Sequence, residues 1–421
     1  MVPVARGRPP APRRRDSRPR GGGRARRSPR RRLPRPAGRV LGRAGLNAPG
    51  RELPRRLRSA QPAVDTRRPR RRKTAECPGR GGAPPVCWHG RMSRDDLTPD
   101  DVLLGTPWSR SLGLRVPIVN APMGGVAGGR LAAAVTAAGG LGMIGMGSSA
   151  TAAALRRELD HVTGRFGIGL VDWVAAQEPA LLDTALAARP ALLAVSFGTD
   201  LSWAARARES GIRTATQVFT PDDARRAADA GIDVLVARGA EGGGHGAVEM
   251  ATLPLLDAVL AAVSVPVLAA GGIGSPASLA AVLAAGASGA WIGTHLAACT
   301  ESTLSESARR AMIAAAGTDT VTTHAVDAAL GYPWPPRFPA RVLRNPFTDR
   351  WTGREHELSG DPEARHSLRA AIAADHPDQL PVDAGEGVGM VTSVRPVAEV
   401  IHELSSGAAR LLHSVAPPHQ R

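Results

Sequence analysis

The segment Ala237-Arg-Gly-Ala-Glu-Gly-Gly-Gly-His-Gly246 places five glycines around one histidine. Glycine loses more backbone freedom on folding than any other residue. A loop this rich in it is kept for close backbone approach, for an anion nest or for mobility. His245 is then a candidate acid/base or hydrogen-bond donor, since imidazole titrates near neutrality. A surface loop with an incidental histidine is the competing reading. Four further segments carry comparable signals. Asn120-Ala-Pro-Met-Gly-Gly125 offers small residues against which a flat ligand can lie. Ala215-Thr-Gln217-Val presents an amide that could meet a heteroaromatic ring or equally be a satisfied core group. Ala269-Ala-Gly-Gly-Ile-Gly274 and Trp291-Ile-Gly-Thr294 pair glycines with a threonine. Cys299 reads as packing rather than as a nucleophile.

These segments gain meaning from the elements that hold them. From residue 116 short apolar runs alternate with Ala-rich amphipathic stretches. The spacing predicts strands over 116–122, 141–146, 165–171, 191–197, 212–218, 233–237, 265–270 and 289–293. Helices are predicted over 129–138, 150–159, 175–188, 201–210, 221–230, 253–263, 276–285 and 302–316. Gly139, Gly211, Gly231 and Gly286 punctuate the helix ends. Eight such units over ~200 residues fit an α/β fold, a (β/α)8 TIM barrel, with a doubly wound open sheet as the alternative. Gly140-Leu-Gly-Met-Ile-Gly145 matches GxGxxG, but it follows a helix and forms a strand, the reverse of a dinucleotide-binding turn. In a barrel of this kind sites form at the strand C-termini, where every segment above falls. Glycines after strands 7 and 8 make the usual phosphate site, so a phosphorylated cofactor or substrate is expected.

Composition divides the chain. Residues 1–91 hold 28 basic and four acidic residues, a net of +24, while residues 92–421 hold 26 basic and 33 acidic, a net of −7. The basic character therefore belongs to an Arg/Pro/Gly-rich arm, read as disordered because it can bury little apolar surface. Binding of nucleic acid or an anionic surface, and targeting, are its functional readings. Met92 opens a stretch of quite different composition and reads as a start. The expected organisation is an arm over 1–91, a barrel over 92–317 and a C-terminal helical extension over 318–421, with helices over 363–374 and 397–412. Three cysteines without zinc spacing make a reducing, cytoplasmic setting the default. No apolar run is long enough for a membrane helix. Assembly is left open, a homodimer included.

The ordered set of Asn120-Ala-Pro-Met-Gly, Gln217-Val, Gly239-x-Glu-x-Gly-Gly-His245-Gly, Ala270-Gly-Gly-Ile and Ile292-Gly-Thr294 resembles the nitronate monooxygenase family, formerly 2-nitropropane dioxygenase. The resemblance covers about residues 100–415. It implies an FMN-dependent barrel that oxidises alkyl nitronates or nitroalkanes with dioxygen to carbonyl compounds and nitrite. Ala121, Pro122 and Met123 would line the flavin, and Gln217 would contact its ring or ribityl chain. Gly243, Gly244, Gly271, Gly272, Gly293 and Thr294 would hold the phosphate, and His245 would lie beside the flavin. Flavin enoyl-thioester reductases using NAD(P)H share much of the pattern and are the alternative activity. A binding protein using the basic arm is the alternative of another class. The sequence departs from the family at strand 4, where Val195-Ser-Phe-Gly-Thr-Asp200 lacks the histidine that deprotonates neutral nitroalkanes. His245 or Asp200 could substitute. A carboxylate near an anionic substrate is electrostatically poor unless protonated, which favours His245.

Overall fold

The computed structural model describes residues 104–415. The arm over 1–91 lies outside the described residues. Eight parallel strands form the barrel: β1 Ile118–Asn120, β2 Gly142–Met146, β3 Phe166–Val171, β4 Leu192–Ser196, β5 Arg213–Val218, β6 Val234–Arg238, β8 Val267–Ala270 and β9 Gly289–Ile292. Their order is β1-β9-β8-β6-β5-β4-β3-β2, and a parallel bridge between Val119 and Leu141 joins the two ends. Each expected strand is present within about two residues of its bounds.

Strand side chains alternate between two cores, as a pleat requires. Val119, Leu141, Met143, Leu192, Ala194, Val234, Val236, Leu268, Ala270 and Trp291 point inward and pack together. Their neighbours Ile118, Ile144, Leu193, Leu235, Val267, Ala269 and Ile292 point outward against the helices. Trp108, Leu112 and Leu114 join the inner set from the helix Pro107–Ser111 and the turn after it. That helix sits at the strand N-termini: Thr106 Oγ1 donates to the carbonyl of Ser288, just before β9, and Arg213 at the start of β5 donates to Ser111 Oγ. The barrel is thus filled at one end and open to a ligand only at the other.

Local chemistry sets the helix bounds. Thr151, Thr220 and Ser275 accept hydrogen bonds from the N–H three residues on and fix three N-termini. The stretch expected as one helix over 175–188 is two, Asp172–Gln177 and Pro179–Ala187, because Pro179 lacks the N–H that continuity needs. The helix expected over 302–316 is Glu306–Ala314, capped by Ser305. The glycines of the GxGxxG match are packing residues: a Cβ on Gly142 would collide with the carbonyl of Ala132, and one on Gly145 with the backbone of Pro122 and Met123.

The extension is largely helical, with helices Ala325–Leu330, Pro346–Trp351, Pro362–Ala373 and Val397–Val415. It also contains strands, one of them within the Pro/Trp-rich sequence over 331–365. β10 Thr320–Thr323 pairs antiparallel with β11 Ala340–Leu343, and β11 pairs with β7 Gly244–His245. The glycine-rich loop after β6 is therefore stitched to the extension by backbone hydrogen bonds. No helix among the described residues is long and apolar enough to cross a membrane.

Candidate active site

The strand C-termini surround one cavity of about 400 Å3, within the range that holds cofactors and small substrates. Of the residues singled out in sequence, Ala121, Pro122, Met123, Gln217, Gly243, Gly244, His245, Gly271, Gly272, Gly293 and Thr294 all line it. Asp200 does not. It sits on an exposed turn where its carboxylate accepts from the N–H and hydroxyl of Ser202, and those bonds hold its pKa below the usual range.

Asn120 builds the floor. Its fully buried side chain donates to the carbonyls of Ala121 and Met143 and accepts from the N–H of Met143 at 2.6 Å. These bonds span the β1–β2 seam, where the ladder is a single bridge, so Asn120 closes the barrel and leaves Ala121–Met123 exposed to the cavity. Gly169 makes room for the Pro122 ring, which a Cβ there would strike. Gln217 is anchored through its N–H to Ser196 Oγ at 3.1 Å. Its own amide has no hydrogen bond to protein among the described residues.

At the β8 end, Gly271 and Gly272 adopt φ of +109° and +66°, a region that favours glycine. The N–H groups of Gly272 and Ile273 make no hydrogen bond to protein among the described residues. A Cβ on Gly293 would meet only ordinary contacts at 3.6 and 3.7 Å. The result is a backbone cradle suited to a phosphate. Thr294 Oγ1 accepts from the N–H of Gly385 at 3.0 Å, so the extension also closes over this end.

The loop after β6 has an internal reason for its glycines, which sequence reasoning missed. Arg238 is almost fully buried, and one guanidinium nitrogen donates to the carbonyls of Gly242, Gly243 and Gly244 at 2.8, 3.1 and 3.0 Å. A Cβ on Gly246 would strike that guanidinium, one on Gly242 would press on it, and one on Gly243 would meet the backbone of Ala384 and Gly385. Burial, and then Arg341, pull the Arg238 pKa down to about 10, still well above neutrality. Glu241 is structural too: its carboxylate accepts from the N–H and hydroxyl of Thr252 and caps the helix Thr252–Ala262.

His245 is held from two sides. Its Nε2 lies 2.9 Å from Asp327 Oδ2, and its ring stacks on Trp334 at 3.5 Å and 6°. Trp334 is fixed by donation to Ser148 Oγ at 2.9 Å and packs edge-on against Phe197 and Trp173. With Asp327 accepting from Nε2–H, the Nδ1 lone pair is left for chemistry. Phe197 reaches this aromatic group through a φ of +74°, a strained conformation for a bulky residue of the kind that clusters at functional sites. Asp327 gave no sequence signal, and Trp334, though it stands in the conspicuous Tyr332-Pro-Trp-Pro-Pro stretch that belongs to the family resemblance, gave none of its contact with His245. Cys299 is buried and its thiol is pushed up to about 12 by burial, so it packs rather than reacts.

The carboxyl of Asp383 also lines the cavity. Burial is the main force pushing its pKa up, and Asp327 adds to it, while His245 and Arg238 oppose it.

The nitronate monooxygenase family model matches residues 181–407, and that of the IMP dehydrogenase / GMP reductase domain matches residues 91–253. A nitronate monooxygenase from Paraburkholderia phytofirmans is 31% identical over 313 residues, 63% of this chain and 81% of that protein. A (3aS,4S,5R,7aS)-5-hydroxy-7a-methyl-1-oxo-octahydro-1H-indene-4-carboxyl-CoA dehydrogenase from Mycobacterium tuberculosis is 34% identical over 257 residues, 59% of this chain and 68% of that protein. Among solved structures, FabK from Thermotoga maritima superposes with a TM-score of 0.64 at 27% identity, covering 74% of this chain and 98% of its own. A nitroalkane oxidase from Streptomyces ansochromogenes gives 0.63 at 28%, covering 73% and 100%. The family model spans more than half of the chain, and with these relatives it places the chain in the nitronate monooxygenase family, a family of oxidoreductases.

Proposed function

We propose that this protein is an FMN-dependent enzyme that oxidises alkyl nitronates with dioxygen to carbonyl compounds and nitrite. The observation that carries the reading is the convergence of the strand-end residues on one cavity with a backbone cradle at its β8–β9 end. These residues fit FMN. Gly271, Gly272, Gly293 and Thr294 would hold its phosphate, Gln217 would meet its polar edge, and Ala121, Pro122 and Met123 would face its ring. Gly243 and Gly244 would bound the same site from the loop after β6. FMN supplies the electron transfer from the nitronate and the reaction with dioxygen.

The chain's own residues do the rest. His245, oriented by Asp327 and Trp334, takes the α-proton of a neutral nitroalkane at Nδ1. A nitronate, already an anion, bypasses that step. The extension completes the site by supplying Asp327, Trp334 and Asp383. Asp200 takes no part. A visible spectrum of purified protein, identification of the heat-released cofactor and oxygen uptake with propane-2-nitronate test the reading. Released FMN with nitrite formation is expected; a colourless protein that takes up no added FMN would overturn it.

A second reading, an enoyl-thioester reductase using NAD(P)H, is favoured by one observation. Gly198, just after Ser196-Phe197 at the β4 end, stands where the family resemblance leads one to expect the histidine that deprotonates neutral nitroalkanes. Fast anaerobic bleaching of the flavin by NAD(P)H would select it.

A further inference from the structure

We propose that the carboxyl group of Asp383 is a substrate-binding group of this cavity, donating a hydrogen bond to an anionic oxygen of the substrate. The proposal rests on the reading of the cavity as a site for an anionic nitronate, and it names the group that recognises the charge.

Backbone geometry fixes Asp383 in place. It forms an antiparallel bridge with Val342 on β11, flanked by hydrogen bonds from Leu343 N–H to the Val382 carbonyl and from Ala384 N–H to the Arg341 carbonyl. β11 is the same strand that pairs with Gly244 and His245 through Arg341 and Ala340. One strand thus positions both the imidazole and the carboxyl. The carboxyl lies so close to the loop that a Cβ on Gly244 would be 3.3 Å from its Oδ2. Asp383 is exposed, and it lines the cavity. It makes no hydrogen bond to another protein group among the described residues.

Every neighbouring charge is otherwise engaged. Arg238 on β6 spends its donors on the loop carbonyls, and His245 on β7 is paired with Asp327. Arg341 turns to the Ala240 carbonyl, Thr320 and Glu386, and Glu241 turns to Thr252. An ionised Asp383 here would repel a nitronate. A neutral one is a donor facing the ligand, the arrangement by which a protonated carboxylic acid binds an oxyanion. Desolvation pushes its pKa in the required direction.

The test uses the flavin-loaded protein and propanoate, whose two oxygens share one charge as those of a nitronate do. Binding is read from the perturbed flavin absorbance between pH 6 and 10. In the native protein the Kd should climb toward tenfold per pH unit once the carboxyl ionises. Asp383→Asn keeps a donor that cannot ionise and should give a Kd that does not rise with pH. Asp383→Leu should bind roughly 10- to 100-fold more weakly at pH 6, the worth of a hydrogen bond to a charged group. Leucine binding as well as aspartate, asparagine rising in parallel with the native protein, or no binding at any pH would overturn the proposal. Oxygen uptake with propane-2-nitronate on the same preparation separates the two readings. The expected propanoate pattern without uptake would remove the nitronate reaction and leave Asp383 as an oxyanion-binding group.

Discussion

Two loops over the same barrel end carry an aspartate each, and their environments are opposite. Asp200, after β4, is exposed, hydrogen-bonded by Ser202 and held ionised. Asp383, in the C-terminal extension, lines the cavity, makes no hydrogen bond to protein among the described residues and is pushed toward its neutral form. Barrel strand ends are where chemistry is expected, yet here the β4 loop contributes a strained Phe197, and the extension brings the acid. The extension also brings Asp327 and Trp334, the two residues that orient His245. The barrel supplies the cradle and the imidazole of His245, the extension supplies the groups that orient it, and the two together form the reactive wall.

The sharpest way to break this division is to detach the loop that joins its halves. Arg238→Met leaves three carbonyls without their shared donor, through one buried and two part-buried hydrogen bonds. At about 1–3 kcal/mol for each unsatisfied group, the loss should reach several kcal/mol. Thermal unfolding should fall by well over 5 °C, at roughly 2–4 °C per kcal/mol for a domain of this size, and the flavin should be lost. A variant that stays yellow with an unchanged midpoint would show that the loop does not depend on its buried arginine.

His245→Ala tests the reactive wall alone. Turnover of neutral nitroalkane should drop by roughly 10²–10⁴, the usual worth of a positioned acid/base, with flavin content unchanged. Turnover of preformed nitronate should fall far less. Asp327→Asn should reproduce the same split in smaller measure, since it disturbs only the orientation of the ring. Equal losses on both substrates would make His245 a binding group rather than a base.

How much of this was legible in sequence follows from the range of the forces involved. Strand alternation and helix caps act over a few residues, so all eight barrel strands could be placed, and the helix error at Pro179 was a local breaker overlooked. The glycines at 243–244, 271–272 and 293 were legible as a cluster. Their reasons were not: Gly242 and Gly246 wrap Arg238, and Gly243 faces Gly385, contacts made only when distant segments meet. β7 is two residues long and carries no period. Asp327 and Asp383 lie in segments whose composition says nothing; β11 brings Asp383 to the loop that carries His245, and the helix Ala325–Leu330 brings Asp327 to the imidazole.

Stability offers a milder probe of Asp383. Its folded pKa is raised above the ordinary carboxylate value, so the native state holds its proton where the unfolded chain has lost it. That contribution is present at low pH and is lost as pH rises through the folded pKa. Asp383→Asn should therefore unfold at a higher temperature than the native protein at pH 8, with the gap closing toward pH 4. A gap that is constant across this range would mean that the carboxyl is not the titrating group.

The smallest effect belongs to the other aspartate. Asp200→Asn should change kcat/KM by less than about twofold, because the carboxylate is outside the cavity and its exposed interactions are screened. Asp172, at the end of β3, would sense the change: burial, and then the charge of Asp200, raise its pKa, and removing that charge should lower it toward the ordinary value. A titration of Asp172 that moves while turnover holds would show that the β3–β4 edge is electrostatically connected within itself and separate from the reacting groups. A large loss of turnover would return the catalytic role to the β4 strand end.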